Sequence, residues 1–286
     1  MPSFASRFAC ILAVGLAVNF SGCQATRVAA PAEPRLGVQA WTFRHYSFNE
    51  TVEKADALGI RYLQAYPGQR LGAELGPKFN HDMTAAQQAQ ALAQLKAHRV
   101  TLAGYGVVKP RDEAEWRRVF AFAVAMGLKE IVCEPPPEFL PLVDRLSRES
   151  GMMASIHNHP PPTPYADPAT GLAAVAPYGP QFGLCGDTGH WVRAGFDPVA
   201  ALRGAAGRLH SVHFKDLSVF GDKKAHDVPW GTGISNAAGQ IAELRRQDFS
   251  GIVYVEYEYV TPDLEAKVAR SVDFFRRMLA TPAATR

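Results

Sequence analysis

The residues best suited to chemistry form an ordered series from Glu134 onward. Glu134, His157, Asp187, His213 and Glu256 are carboxylates and imidazoles, with His159, His190, Lys215 and Glu258 close beside them. They end or directly follow short apolar runs: Glu130–Cys133, Met153–Ile156, Phe182–Cys185, Leu209–Phe214 and Gly251–Val255. A carboxylate and imidazole set with no well-placed thiolate makes a mixed oxygen and nitrogen site, suited to Mn²⁺, Zn²⁺, Co²⁺ or Mg²⁺. Left unpaired, such carboxylates would repel one another and be costly to bury, and a bound cation resolves both problems. Taken singly, each residue has a plainer role as a satisfied core histidine or a partner for a basic side chain. Their recurrence at successive run ends points to a site.

Spacing adds detail. Asp187-Thr-Gly-His190 puts a carboxylate at the end of an extended run and an imidazole in the turn above it. One group can bind a metal and the other a substrate oxygen. His213-Phe-Lys215 places two functional groups on one strand face by period-two alternation. Lys215 can neutralise a developing oxyanion or carry a proton, and its plainer alternative is a salt bridge to Asp216 or Glu256. Trp41, Trp191 and Trp230 lie near run ends, where an indole can stack on a sugar ring, and His159 and His226 are further candidates for substrate contact.

These groups need elements that bring them together. Eight apolar runs qualify as strands: Leu36–Ala40, Arg61–Ala65, Thr101–Gly104 and the five above. Helical signals separate them. Ser47-Phe-Asn-Glu50 and Thr84-Ala-Ala-Gln87 fit capping boxes, and Gly59 and Gly127 stand where the first and third helices should end. Trp116, Val119, Phe120 and Ala123 recur at helical spacing, as do Leu264, Val268, Val272 and Phe275, which marks faces turned toward a sheet. Eight βα units in roughly 250 residues predict a single (β/α)8 barrel over residues 35–286, whose strand C-termini converge on one mouth. No Gly-x-Gly-x-x-Gly follows any strand, so nothing indicates a dinucleotide site. The Pro-rich stretch Pro160–Pro168 follows the fifth strand and reads as a stiff loop at the mouth.

The first 22 residues read as an export signal. Arg7 is followed by an almost unbroken apolar run from Phe8 to Phe20, ending in Ser21-Gly22-Cys23. Small residues before Cys23 suit a bacterial lipoprotein signal in which that cysteine is acylated. Residues 23–34 then form a tether, and the protein is expected in the periplasm or anchored to the outer membrane. Cys185 shares parity with Asp187 whereas Cys133 has opposite parity to Glu134, so the two thiols turn to different faces, which predicts buried thiols and no disulfide. The net charge is +3 and no dense Lys/Arg run occurs, so a nucleic-acid track is not indicated.

The motifs D-T-G-H-W, H-F-K-D, H-D-V-P-W-G-T-G and V-E-Y-E, with G-V-Q-A-W-T-F at the start and I-H-N-H at the fifth strand, resemble the xylose isomerase-like barrel superfamily. The resemblance runs in order from about Leu36 to Leu279. It lies with the sugar phosphate isomerase/epimerase branch, near inosose dehydratases and 3-keto-glycoside-processing enzymes. It implies one catalytic divalent metal, with Glu134, Asp187, His213 and Glu256 matching the ligand pattern. Ketose epimerases of this kind carry Glu at the end of the fifth strand, where this chain has His157, so either Glu134 or His157 completes the shell. The expected activity is isomerisation or epimerisation of a hydroxy-ketone sugar through an enediolate, with a base drawn from Glu256, His157 and His190. Elimination from a 3-keto-glycoside or keto-polyol shares that intermediate and is the alternative. A sugar-binding lipoprotein without catalysis is a third reading, and it leaves the charged ligand set unexplained. A small sugar is the expected partner.

Overall fold

The computed structural model describes residues 33–72 and 76–281. The stretch read as an export signal, Cys10, Cys23 and most of the expected tether lie outside the described residues. All eight expected strands form, and we number the barrel strands β1 (Arg35–Gln39), β2 (Tyr62–Ala65), β3 (Thr101–Val108), β4 (Glu130–Cys133), β5 (Met153–His157), β6 (Phe182–Asp187), β7 (Leu209–Phe214) and β8 (Ile252–Val255). They close into a parallel barrel in sequence order, with β1 pairing β8. Parallel strands buried on both faces need apolar side chains throughout, which accounts for the continuous apolar runs.

The helices are α1 (Phe48–Ala57), α2 (Ala85–Ala97), α3 (Glu113–Ala125), α4 (Leu140–Ser150), α5 (Pro168–Val175), α6 (Thr188–Arg193), α7 (Pro198–Gly204), α8 (Ala237–Arg246) and α9 (Leu264–Ala280). Capping boxes start α1 at Ser47 and α2 at Thr84, each satisfying two backbone donors reciprocally. The stripes on α3 and α9 are buried as their spacing requires. Each such side chain removed from water contributes about 1.5–3 kcal/mol. Cys133 and Cys185 are free and buried.

Two short hairpins decorate the loops that follow strands. Gln69–Arg70 pairs with Lys78–Phe79, and Asp216–Leu217 pairs with Asp227–Val228. The second hairpin continues into a turn organised by Asp216. Its carboxylate accepts from the backbone N–H groups of Gly231 and Gly233 at 2.9 Å and of Ser235 at 3.0 Å. Asp216 is therefore a loop organiser, and the salt bridge to Lys215 considered from sequence does not form with it.

Candidate metal centre

Alternation along the strands turns His157, Asp187, His213 and Glu256 toward one point at the barrel mouth. Asp187 and His213 are register partners on β6 and β7. One ligand atom from each of the four residues lies within 4.8 Å of the others, and all four residues are buried.

Asp187 divides its two carboxylate oxygens between tasks. Oδ1 accepts from the backbone N–H of His190 at 2.8 Å and caps the first turn of α6. Oδ2 faces the cluster, 3.4 Å from Nε2 of His157 and 3.4 Å from Nε2 of His190. Asn158 holds the aspartate backbone from both sides, its Oδ1 accepting from Asp187 N at 2.8 Å and its Nδ2 donating to Asp187 O at 3.0 Å. The glycine of the Asp-Thr-Gly-His stretch has a steric reason. A Cβ on Gly189 would lie 2.5 Å from Cδ of Lys215, so only glycine lets α6 sit down over that side chain.

Lys215 is wholly buried, with Nζ bonded to Asp187 Oδ2 and Glu256 Oε2 and 3.9 Å from Glu258 Oε2. Burial opposes its charge, but the carboxylates of Asp187 and Glu256 outweigh burial and hold the ammonium well above the usual lysine range. Burial likewise opposes ionisation of Asp187 and Glu256. The ammonium of Lys215, in contact with both, outweighs burial and keeps both well below the ordinary carboxylate range.

His157 is pinned from two sides. Nδ1 lies 3.1 Å from Glu134 Oε1, and Nε2 faces Asp187. Burial disfavours its charged form, yet Asp187 and Glu134 push it up to about 9. The pocket thus calls for positive charge between His157 and Asp187, as a proton or as a metal. Glu134 stands behind His157, where it also meets His159 Nδ1 and, at 2.5 Å, Nζ of Lys109. Glu134 forms a second group with His157 and His159, so it is His157 that shares a group with Asp187, His213 and Glu256.

His213 places Nε2 2.6 Å from Oε1 of Gln64 and Nδ1 3.1 Å from Oε2 of Glu256. Among the described residues, neither His213 Nδ1 nor His157 Nε2 has a hydrogen-bond partner. Two orphaned ring nitrogens, each facing a carboxylate oxygen, suit a divalent cation that accepts nitrogen and oxygen donors together. The residues fit the ion that the resemblance implies.

His190 plays a different part. Nδ1 lies 3.2 Å from Nη1 of Arg193, and a guanidinium only donates, so the neutral ring carries its proton on Nε2. Burial, joined by the nearby charge of Lys215, holds His190 well below the usual histidine range. Its Nε2–H is therefore the donor that lies 3.4 Å from Asp187 Oδ2 at the cluster. Arg193 is itself anchored by Glu258 Oε2 at 2.5 Å and Asp227 Oδ2 at 3.5 Å.

The aromatic candidates separate. Trp41 is 40% exposed and packs edge-on against Tyr66, with centroids 5.0 Å apart, at the end of β1. His226 is exposed and lies against the half-exposed Tyr259, with centroids 4.6 Å apart. Trp191 and Trp230 are each only 2% exposed. Trp191 lies over Gly186, whose parity is opposite to that of Asp187, and Trp230 packs on Phe214 and Phe275 at 4.4 and 6.2 Å. Both pack in the helix layer, the plainer of the two roles their position allows, and offer little surface to a sugar. Nearness to a strand end in sequence does not decide which face a ring occupies.

Sequence reasoning passed over Gln39, Gln64, Lys109, Arg193 and Asp227. The two glutamines carried a signal, since each is a polar residue with inward parity inside an apolar strand. Lys109 stands just beyond β3 and carried none.

A closed (β/α)8 barrel with a buried carboxylate and imidazole cluster at its strand C-termini defines the class as a barrel with a metal-capable site. The chain belongs to the xylose isomerase-like TIM barrel family, whose profile matches residues 28–278. A solved structure of an uncharacterised protein from Parabacteroides distasonis is 32% identical, with 86% of this chain and 99% of that chain covered and a TM-score of 0.70. A probable 3-DHS dehydratase involved in petrobactin synthesis from Bacillus anthracis superposes with a TM-score of 0.65 at 14% identity, covering 85% and 98% of the two chains. A D-psicose 3-epimerase solved in the presence of D-fructose gives 0.63 at 15% identity, covering 86% and 97%. The last two likenesses speak for the fold. No curated protein matches the chain.

Proposed function

We propose that this protein is a divalent-metal-dependent isomerase or epimerase of a hydroxy-ketone sugar. The observation that carries the reading is the convergence of one ligand atom each from His157, Asp187, His213 and Glu256, with His157 Nε2 and His213 Nδ1 lacking hydrogen-bond partners among the described residues. These four would hold the ion. A divalent cation there supplies Lewis acidity to a carbonyl and its neighbouring hydroxyl, which acidifies the C–H between them.

The chain's own groups then divide the remaining work. Glu256, kept ionised beside Lys215, takes the proton from that carbon. His190 donates from Nε2 to the substrate oxygen that gains charge as the enediolate forms. Lys215 holds Asp187 and Glu256 ionised and close together. Trp41 offers a half-exposed ring for the apolar face of a sugar, and His226 and His159 are further candidates for substrate contact.

Elimination is the second reading, and the observation favouring it is the carboxylate inventory. Glu134 lies behind His157, which leaves Glu256 as the base that faces the cluster from the strand ends. One base suffices to remove a proton and lose a β-oxygen, whereas epimerisation needs a second group on the opposite face. The apolar run after Arg7 and the Ser21-Gly22-Cys23 stretch support placing the enzyme outside the cytoplasm, with Cys23 as a lipid attachment point. Cell fractionation with mass spectrometry of the N-terminus tests that placement.

Turnover of ketohexoses and of a 3-keto-glycoside in D₂O tests the chemistry. Deuterium should enter at the carbon next to the carbonyl, cease with chelator and return with Mn²⁺. A substrate deuterated at that carbon that turns over with no primary isotope effect and keeps its label there overturns the proposal.

A further inference from the structure

Two side-chain amides that no chemical step uses connect the backbone to one of the ligands. Gln39 and Gln64 are register partners on β1 and β2, and they are 1% and 0% exposed. Room for Gln64 comes from Gly104 on β3, where a Cβ would approach its Cγ to 3.1 Å.

Their hydrogen bonds can be ordered from one fixed point. The backbone N–H of Trp41 only donates, and it lies 3.1 Å from Oε1 of Gln39, so that oxygen accepts. The other end of the same amide, Nε2, therefore donates. It reaches the carbonyl of Gly106 at 3.1 Å and Oε1 of Gln64. Gln64 is thereby obliged to present its oxygen to His213, whose Nε2 stands 2.6 Å away. An oxygen acceptor at that distance requires the ring proton on Nε2. Nδ1 is left with a lone pair, and among the described residues it makes no hydrogen bond, although Glu256 Oε2 is 3.1 Å away. In the opposite tautomer Nδ1–H would point at Glu256 and two acceptors would confront each other at Gln64.

We propose that Gln39 and Gln64 are positioning residues that commit the His213 proton to Nε2 and so reserve Nδ1 for the metal. The relay starts from the backbone at Trp41, so the tautomer of a ligand is set by the fold of the first strand. This rests on reading the cluster as a metal centre. Partners that fix a ligand's tautomer and ring orientation typically change metal affinity about 10–100-fold when removed.

The test combines ¹⁵N NMR of the His213 ring, in metal-free protein with the ring neutral, and direct titration with Mn²⁺. In the unaltered protein the proton should reside on Nε2. Gln64→Leu removes the acceptor, and should give a mixed tautomer with Mn²⁺ affinity lowered about 10–100-fold. Gln64→Glu keeps an acceptor, should keep the Nε2 proton, and should bind Mn²⁺ more tightly than the leucine variant. Gln39→Leu frees the Gln64 amide to turn over, so it should mix the tautomers while leaving Gln64 in place, and it carries the same test should Gln64→Leu not fold. A His213 protonated on Nδ1 in the unaltered protein overturns the proposal. So does Mn²⁺ affinity unchanged in Gln64→Leu. If the unaltered protein takes up no ion while His213 is protonated on Nε2, the relay stands and the metal reading fails.

Discussion

Nδ1 of His213 faces Oε2 of Glu256 across 3.1 Å, and no hydrogen bond joins them. A buried nitrogen and a buried carboxylate oxygen turned toward each other in this way cost free energy unless something positive lies between or beside them. The ammonium of Lys215 meets that need for Glu256 and Asp187 together.

The first prediction therefore concerns Lys215. Lys215→Met leaves two buried carboxylates without their cationic partner, a change that typically costs about 3–5 kcal/mol. Chemical denaturation of the metal-free variant should show a loss of that order, and Mn²⁺ should recover part of it. A variant as stable as the parent in the presence of chelator would contradict the ion-pair role.

A pH dependence follows from His157. Its folded pKa, about 9, lies above the ordinary value of 6.5. The proton is thus bound more tightly in the folded metal-free protein, and the stability it contributes is fully present below pH 6.5 and lost as pH rises through about 9. Melting curves in chelator between pH 6 and pH 10 should fall over that window. His157→Gln should flatten the fall, and an unchanged slope would assign it to other groups.

The indoles give a contrast between surface and core. Trp41 is 40% exposed and Trp230 is 2% exposed. Trp41→Ala should raise KM with little change in stability. Trp230→Ala should cost about 3–5 kcal/mol, because it empties a packed site between β7 and α9. Equal stability losses in the two variants would remove the distinction.

Much of this architecture was legible in the residues. All eight strands, the caps at Ser47 and Thr84 and the convergence of Asp187, His213 and Glu256 follow from apolar runs and from the polar groups at their ends. What stayed hidden depends on side-chain direction across the barrel. Glu134 and His157 both end strands with inward parity, and only their packing shows which one faces Asp187. Trp191 and Trp230 sit near strand ends but lie in the helix layer. The Gln39–Gln64 relay joins residues on neighbouring strands through amide orientation, which no periodicity records. The close fit of Gly189 on Lys215 likewise required the turn geometry of α6.

The central claim is that His157, Asp187, His213 and Glu256 form one metal site, and the most direct measurement is metal stoichiometry. Titration of the purified protein with Mn²⁺, with bound metal read by elemental analysis after desalting, should give one equivalent. Asp187→Ala and His213→Ala should each bind none, while Glu134→Gln should keep one equivalent at weakened affinity because it supports His157 from behind. About one equivalent retained by both alanine variants, with affinity unchanged, would contradict the account.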